Sequence, residues 1–190
     1  MEEADRQRIE AEAERVLAAV PDWIWDGEQL PVPIEAIVDS CFDLLVRDVP
    51  PEQMLRAPGA PELEEGASLS GLFLPHAREI WVNAEEAAEW PPRRRFTLAH
   101  ELGHCVLHED GQRSLFCRHA TVDPQAAADA EAVAAAEIER EANQFAAALL
   151  MPGELMRHHY VATGRDFATL CALFGSSGAA MGRRLHQAIG

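Results

Sequence analysis

The sequence predicts an α+β protein, with a small antiparallel sheet in its first half packed on a largely helical remainder. Three observations point there. Two short β-prone runs, SLSGLFL and REIWVNA, stand close together before the midpoint. The longest apolar stripes have helical spacing. Most helical segments lie around and after the strands, and no internal repeat suggests a stacked architecture.

Residues 2–20 read as a helix with Ile9, Val16, Leu17 and Val20 on one side and a solvated charge run on the other. PDWIWDGEQLPVP is a turn-rich connector. IEAIVDSCFDLLV places apolar residues at 34, 37, 38, 41, 42, 45 and 46, a helical stripe suited to a core. RAPGAPELEEGA is a loop. The two β-prone runs are separated by PHA, consistent with a hairpin. EEAAEWPPRR then leads into a helix rich in histidine, and its proline pair ends whatever precedes it. Residues 109–137 form a polar, alanine-rich insertion, either a helical extension or a mobile loop. IEREANQFAAALLMP is a second strong helix over 138–151, stopped by Pro152 and Gly153. Short helices joined by Gly/Ser turns complete one expected domain spanning 1–190, of which 1–29 is the N-terminal helix and connector.

Bulk properties narrow the function. A chain of 190 residues, 48% hydrophobic and 25% charged, can bury a core and has the composition of a soluble protein. No apolar run reaches the roughly 18 to 20 residues needed to span a bilayer. The acidic N-terminus lacks the basic region of a secretory signal, so the expected location is the cytoplasm. A net charge of −16 argues against direct contact with nucleic acid. All 16 basic residues are arginine, which, with the abundant alanine, reads as codon composition. Cys41, Cys105, Cys117 and Cys171 are widely spaced and form no C-x-x-C pair, so reduced core thiols are expected.

The chemistry concentrates in RRFTLAHELGHCVLH, Arg94 to His108. At 3.6 residues per turn, His100 and His104 lie one above the other and can reach one ion. Zinc accepts such an imidazole pair. Glu101 flanks that ion and can take a proton from the water it acidifies. Apolar Leu98, Ala99, Leu102, Val106 and Leu107 predict a buried helix, and two buried imidazoles and a glutamate without a metal would be costly. Gly103 costs about 1 kcal/mol against alanine inside a helix, which predicts a close neighbour there. His108 is excluded as a third ligand, because it lies about 12 Å along the axis from His100. It is assigned to a supporting or surface position.

The second helix offers Glu139 and Glu141. Glu139 shares a face with Ala142, Asn143, Ala146 and Leu150, whose small members permit tight packing on the histidine helix. Glu141 lies on a more polar line with Gln144 and Ala148. Glu139 is therefore the expected third ligand, with Glu141 exposed or supporting. Asn143, one turn on, is placed to hydrogen-bond a ligand histidine and fix its tautomer.

RRRFTLAHELGHCVLH together with EREANQFAAALLMP closely resembles the ImmA/IrrE family of metallopeptidases. PVPIEAIVDS, LSGLFL and REIWVN are similar to its upstream elements in the same order, and the resemblance runs over roughly residues 30 to 186. It implies a zincin-like fold and one zinc ion held by His100, His104 and Glu139, with Glu101 as base. It also implies a regulatory peptidase that cleaves a helix-turn-helix repressor. The alanine-rich stretch before Glu139 departs from the family pattern.

The expected activity is thus peptide hydrolysis by a zinc endopeptidase acting on a repressor or antitoxin, without membrane or direct nucleic-acid contact. An acidic surface favours a basic partner. The substrate is expected to lie extended beside SLSGLFL or REIWVNA. Tyr160, His158 and His159 are candidates for stabilising the oxyanion, and Cys105 or Cys117 for redox tuning, although inert burial fits those thiols as well. Another reading makes the domain a partner-binding regulator, or the toxin of a toxin–antitoxin pair, with little proteolysis. FATLCALFGSSGAAMGRRL has the outline of a helix-turn-helix, but the charge of the chain favours a structural role.

Overall fold

The computed structural model describes residues 2–57, 68–108, 115–118 and 130–189. Its class is the expected α+β. Helix α1 (Glu3–Ala18) begins with a capping box between Glu2 and Asp5 and buries Ile9, Ala13, Val16 and Leu17, a one-sided stripe. Helix α2 (Ile34–Phe42) is shorter than its apolar pattern suggests. It stops because Asp43 turns left-handed at φ 51°, a conformation a short polar residue tolerates. The chain then runs as strand β1 (Leu45–Val49). Leu45, counted in the helical stripe, is 55% exposed, while neighbouring Leu44 enters the core.

A short helix α3 (Pro51–Met54) precedes strand β2 (Leu69–Leu74). A 3-10 turn at Pro75–Ala77 joins β2 to strand β3 (Glu79–Asn83), so the hairpin is present as expected. Asn83 caps helix α4 (Ala84–Glu89) by accepting from the Glu85 and Glu86 amides. Helix α5 (Pro91–Leu107) carries the histidines and starts on the proline pair. Strand β4 (Leu115–Arg118) follows. Helix α6 (Ala130–Leu150) begins eight residues before 138, so 130–137 form the helical extension, one of the two readings of the alanine-rich stretch, while 109–114 and 119–129 lie outside the described residues. Helices α7 (Gly153–Ala162), α8 (Phe167–Phe174) and α9 (Gly178–Ala188) end the chain.

The sheet order is β1-β3-β2-β4. It is mixed, not purely antiparallel, because β1 runs parallel to β3 while β2 pairs antiparallel with both β3 and β4. The parallel pair arises because the chain crosses from β1 through α3 and β2 before returning as β3. Both strands expected to receive substrate are therefore paired on both sides, and among the described residues the sheet edges are β1 and β4. Strand addition beside β2 or β3 is excluded in this arrangement.

One core joins α1, α2, β2, β3, α5, α6 and the C-terminal helices. Arg184 of α9 is 2% exposed, donating through Nε to the Met151 carbonyl at the end of α6 and through both terminal nitrogens to Glu10 of α1. One of the two arginines in the helix-turn-helix-like segment is thus consumed internally. Among the described cysteine side chains, Cys41 is exposed, Cys171 half-buried and Cys105 buried, so of these three the expectation of core thiols holds for Cys105. The side chain of Cys117 lies outside the described residues.

Candidate metal centre

Helix α5 lies across α6 and beneath β2, so its central turn is enclosed from both sides. The approach to α6 is set by Gly103, where an added Cβ would meet Phe145 Cδ1 at 3.1 Å and the Cα of Ala142 at 3.2 Å. Fully buried Ala142 and Ala146 complete the contact, as the small-residue face predicts. On the other side, a Cβ at Gly71 of β2 would lie 2.4 Å from Thr97 Cγ2 and 2.6 Å from Glu101 Oε1. This second close approach escaped sequence reasoning, although a glycine inside a strand pattern is its usual signal.

Within this sandwich His100 and His104 are almost fully buried, and their Nε2 atoms stand 3.0 Å apart. Glu139 of α6 straddles these nitrogens, with Oε2 3.3 Å from His100 Nε2 and Oε1 3.3 Å from His104 Nε2. The three donor atoms lie within 4.8 Å of one another. Ligands bound at roughly 2.0–2.1 Å around one tetrahedral ion sit about 3.3 Å apart. The spacing and the N₂O donor set therefore fit a divalent cation of the zinc type. Glu139 is 32% exposed while the histidines are sealed, so access is from the Glu139 side. Burial opposes ionisation of Glu139, but its contacts with His100 and His104 prevail and hold its pKa down to about 2.

Asn143 does what its position predicts. Its Oδ1 accepts from His100 Nδ1 at 3.2 Å, leaving Nε2 to face Glu139. Its amide nitrogen donates to the Glu139 carbonyl at 2.8 Å, which fixes the orientation of the side-chain amide. Glu101 is fully buried, and among the described residues neither carboxylate oxygen has a partner at hydrogen-bond geometry, the Phe73 backbone exerting only a weak opposing pull on its pKa. Burial, and after it the charge of Glu139, pushes its pKa well above the ordinary carboxyl value. A buried, unsolvated carboxylate is a strong proton acceptor, the property a general base needs.

The remaining expected residues separate. Glu141 is in a supporting position, bonded to Arg8 of α1 at 2.5 Å and 3.6 Å from His108. The line it shares with Gln144 and Ala148 is not solvent-facing, since α1 covers it and Gln144 donates to Glu10. His159 packs edge-on against Phe174, His158 against His159, and Arg165 lies over Tyr160. These are contacts within the C-terminal segment, of which the one to Phe174 joins α7 to α8. Arg93 bonds Glu86 and Ser70, Arg94 bonds Glu35 and Asp48, and Arg95 bonds the Val32 carbonyl, anchoring the start of α5 to its surroundings.

The family model of Peptidase M78, described as the IrrE N-terminal-like domain, matches residues 60–186. No curated protein matches the chain. Among solved structures, a Mycobacterium tuberculosis transcriptional regulator is similar in fold, with a TM-score of 0.54 at 16% identity. That similarity covers 97% of this chain and 47% of the other, so this chain spans about half of that protein's length. No helix among the described residues is long and apolar enough to cross a membrane.

Proposed function

The chain belongs to the Peptidase M78 family of IrrE N-terminal-like domains, and from that premise we propose that it is a zinc-dependent cytoplasmic endopeptidase cleaving a regulatory protein. The observation that carries this reading is the convergence of His100, His104 and Glu139 beside the buried Glu101. A zinc ion held by His100, His104 and Glu139 would supply Lewis acidity, polarising the scissile carbonyl and acidifying water. Glu101 accepts the proton of the attacking water and passes it toward the departing amine. Burial between β2 and α5 keeps that carboxylate unsolvated, and Asn143 orients His100 and the Glu139 backbone. Enclosure by α6 and β2 limits competing water.

The proposed substrate is a basic helix-turn-helix repressor or antitoxin. The net charge of −16 supports a basic partner, and the similar fold of a protein named as a transcriptional regulator supports a regulatory setting. Purified protein would be incubated with a helix-turn-helix protein encoded by a neighbouring gene. Cleavage is expected for the wild type, with loss on adding a chelator and in Glu101→Gln and Glu139→Ala. Zinc content is retained in Glu101→Gln and lost in Glu139→Ala. A stable complex that is never cleaved would instead establish a binding regulator or toxin.

A further inference from the structure

The two histidines are held differently. The ring of His100 is fixed by its hydrogen bond to Asn143. Among the described residues His104 has no such tether, since its buried Nδ1 makes no hydrogen bond to them. The ring torsion of a histidine is intrinsically broad, and a ligand imidazole is normally oriented by a partner on its outer nitrogen. Its orientation comes from the Glu139 carboxylate oxygen 3.3 Å from Nε2 and, behind that, from the rings it touches. On one side stands the ring of His100, edge-on at 4.6 Å between centroids. On the other stands His108, tilted at 48° with centroids 5.8 Å apart.

His108 is placed by its backbone and by an ion-pair approach to Glu141. It is the first residue past α5, and its amide still bonds the His104 carbonyl at 3.1 Å. Its side chain, 13% exposed, turns toward α6, where its Nε2 stands 3.6 Å from a Glu141 carboxylate oxygen, an electrostatic contact just beyond hydrogen-bond distance. Glu141 in turn is gripped by Arg8 of α1 at 2.5 Å. A polar chain thus runs from the exposed face of the N-terminal helix to the back of a candidate ligand, Arg8 to Glu141 to His108 to His104.

We propose that His108 is a positioning residue for His104, its ring forming the wall that sets the second imidazole, and that Arg8 holds this wall in place through Glu141. The inference rests on the proposed metal site. It gives α1, which lies outside the family match, a part in setting the affinity of the centre.

The test measures zinc affinity by competition with a chromogenic chelator, alongside the melting temperature of metal-free protein. His108→Ala is expected to bind zinc at least about ten-fold more weakly, the usual consequence of losing an outer-shell partner. His108→Phe restores a ring and recovers most of that loss. Arg8→Gln, at an exposed position, weakens zinc two- to three-fold (roughly what a partly exposed ion pair contributes) without lowering the metal-free melting temperature. Zinc affinity within two-fold of wild type in His108→Ala overturns the proposal, as does a His108→Phe variant no tighter than His108→Ala. If wild type itself takes up no zinc, the metal reading fails and this inference with it. If wild type binds and His108→Ala binds equally, only this inference fails.

Discussion

Gly103→Ala probes the packing on which the metal centre depends. The new Cβ would sit 3.1 Å from Phe145 Cδ1, 3.2 Å from Ala142 Cα and 3.3 Å from the Ala142 carbonyl oxygen. Phe145 can rotate slightly, but the Ala142 atoms are backbone, so α6 must retreat as a body by a few tenths of an ångström. Alanine gains about 1 kcal/mol of helix propensity over glycine. Overpacking a tight contact costs about 1–3 kcal/mol. The net effect on the metal-free fold therefore runs from near zero to about 2 kcal/mol of destabilisation, at most a fall of roughly 4–8 °C in Tm. Zinc affinity should suffer more. Glu139 stands one turn from Ala142 on the same helix, and metal–ligand distances tolerate only about 0.2 Å. A loss of at least ten-fold, about 1.4 kcal/mol, is expected by chelator competition. Differential scanning calorimetry of metal-free protein gives the stability arm. A melting temperature that rises by about 2–4 °C with zinc affinity unchanged would refute the claim that Gly103 sets the helix spacing at the site.

Gly71→Ala should be harsher, because its Cβ would fall 2.4 Å from the buried Thr97 and 2.6 Å from Glu101. A destabilisation of about 3 kcal/mol is expected from thermal melts, with activity lost even where the fold survives. Asn143→Ala should weaken zinc binding about 10–100-fold while leaving metal-free stability within about 0.5 kcal/mol, since the residue is exposed. Asn143→Asp, which keeps an acceptor for His100 but loses the donor to the Glu139 carbonyl, should fall between wild type and alanine in the same titration. Glu101→Gln should raise the melting temperature of metal-free protein at neutral pH. The folded-state pKa of Glu101 is raised, so wild type is favoured while the carboxyl is protonated and loses stability as pH climbs above the ordinary value of 4.5. The advantage of the glutamine variant should therefore vanish below about pH 4.5, and a gap that persists there would point to another cause.

Much of this site was legible because its determinants are local. The i, i+4 spacing of His100 and His104, the face shared by Glu139, Ala142 and Ala146, and the unfavourable glycine at 103 all follow from helical periodicity. Even the partnership of Asn143 with His100 could be anticipated, once Glu139 was taken as the ligand, from its place one turn further along. The end of α2 was misjudged for the same reason. Periodicity detects apolar residues at helical spacing, but Leu45 met that spacing by accident and stands exposed on a strand.

Local pattern says which residues are buried, not by what. That α1 covers Gln144, that Arg8 reaches Glu141, and that Glu10 neutralises Arg184 are contacts between residues 133 to 174 positions apart. Nor does hydrophobic alternation specify strand neighbours, so the parallel placement of β1 and the covering of β2 by β4 emerged only from the assembled sheet. By itself the sequence determined the ligand-bearing helices and the faces they present to each other, since both are fixed by backbone geometry within a few turns. The tertiary structure decided how close those faces come, which carboxyl is left unsolvated and what braces the imidazoles. Those quantities depend on long-range packing, where the placement of one helix is set by every surface that meets it.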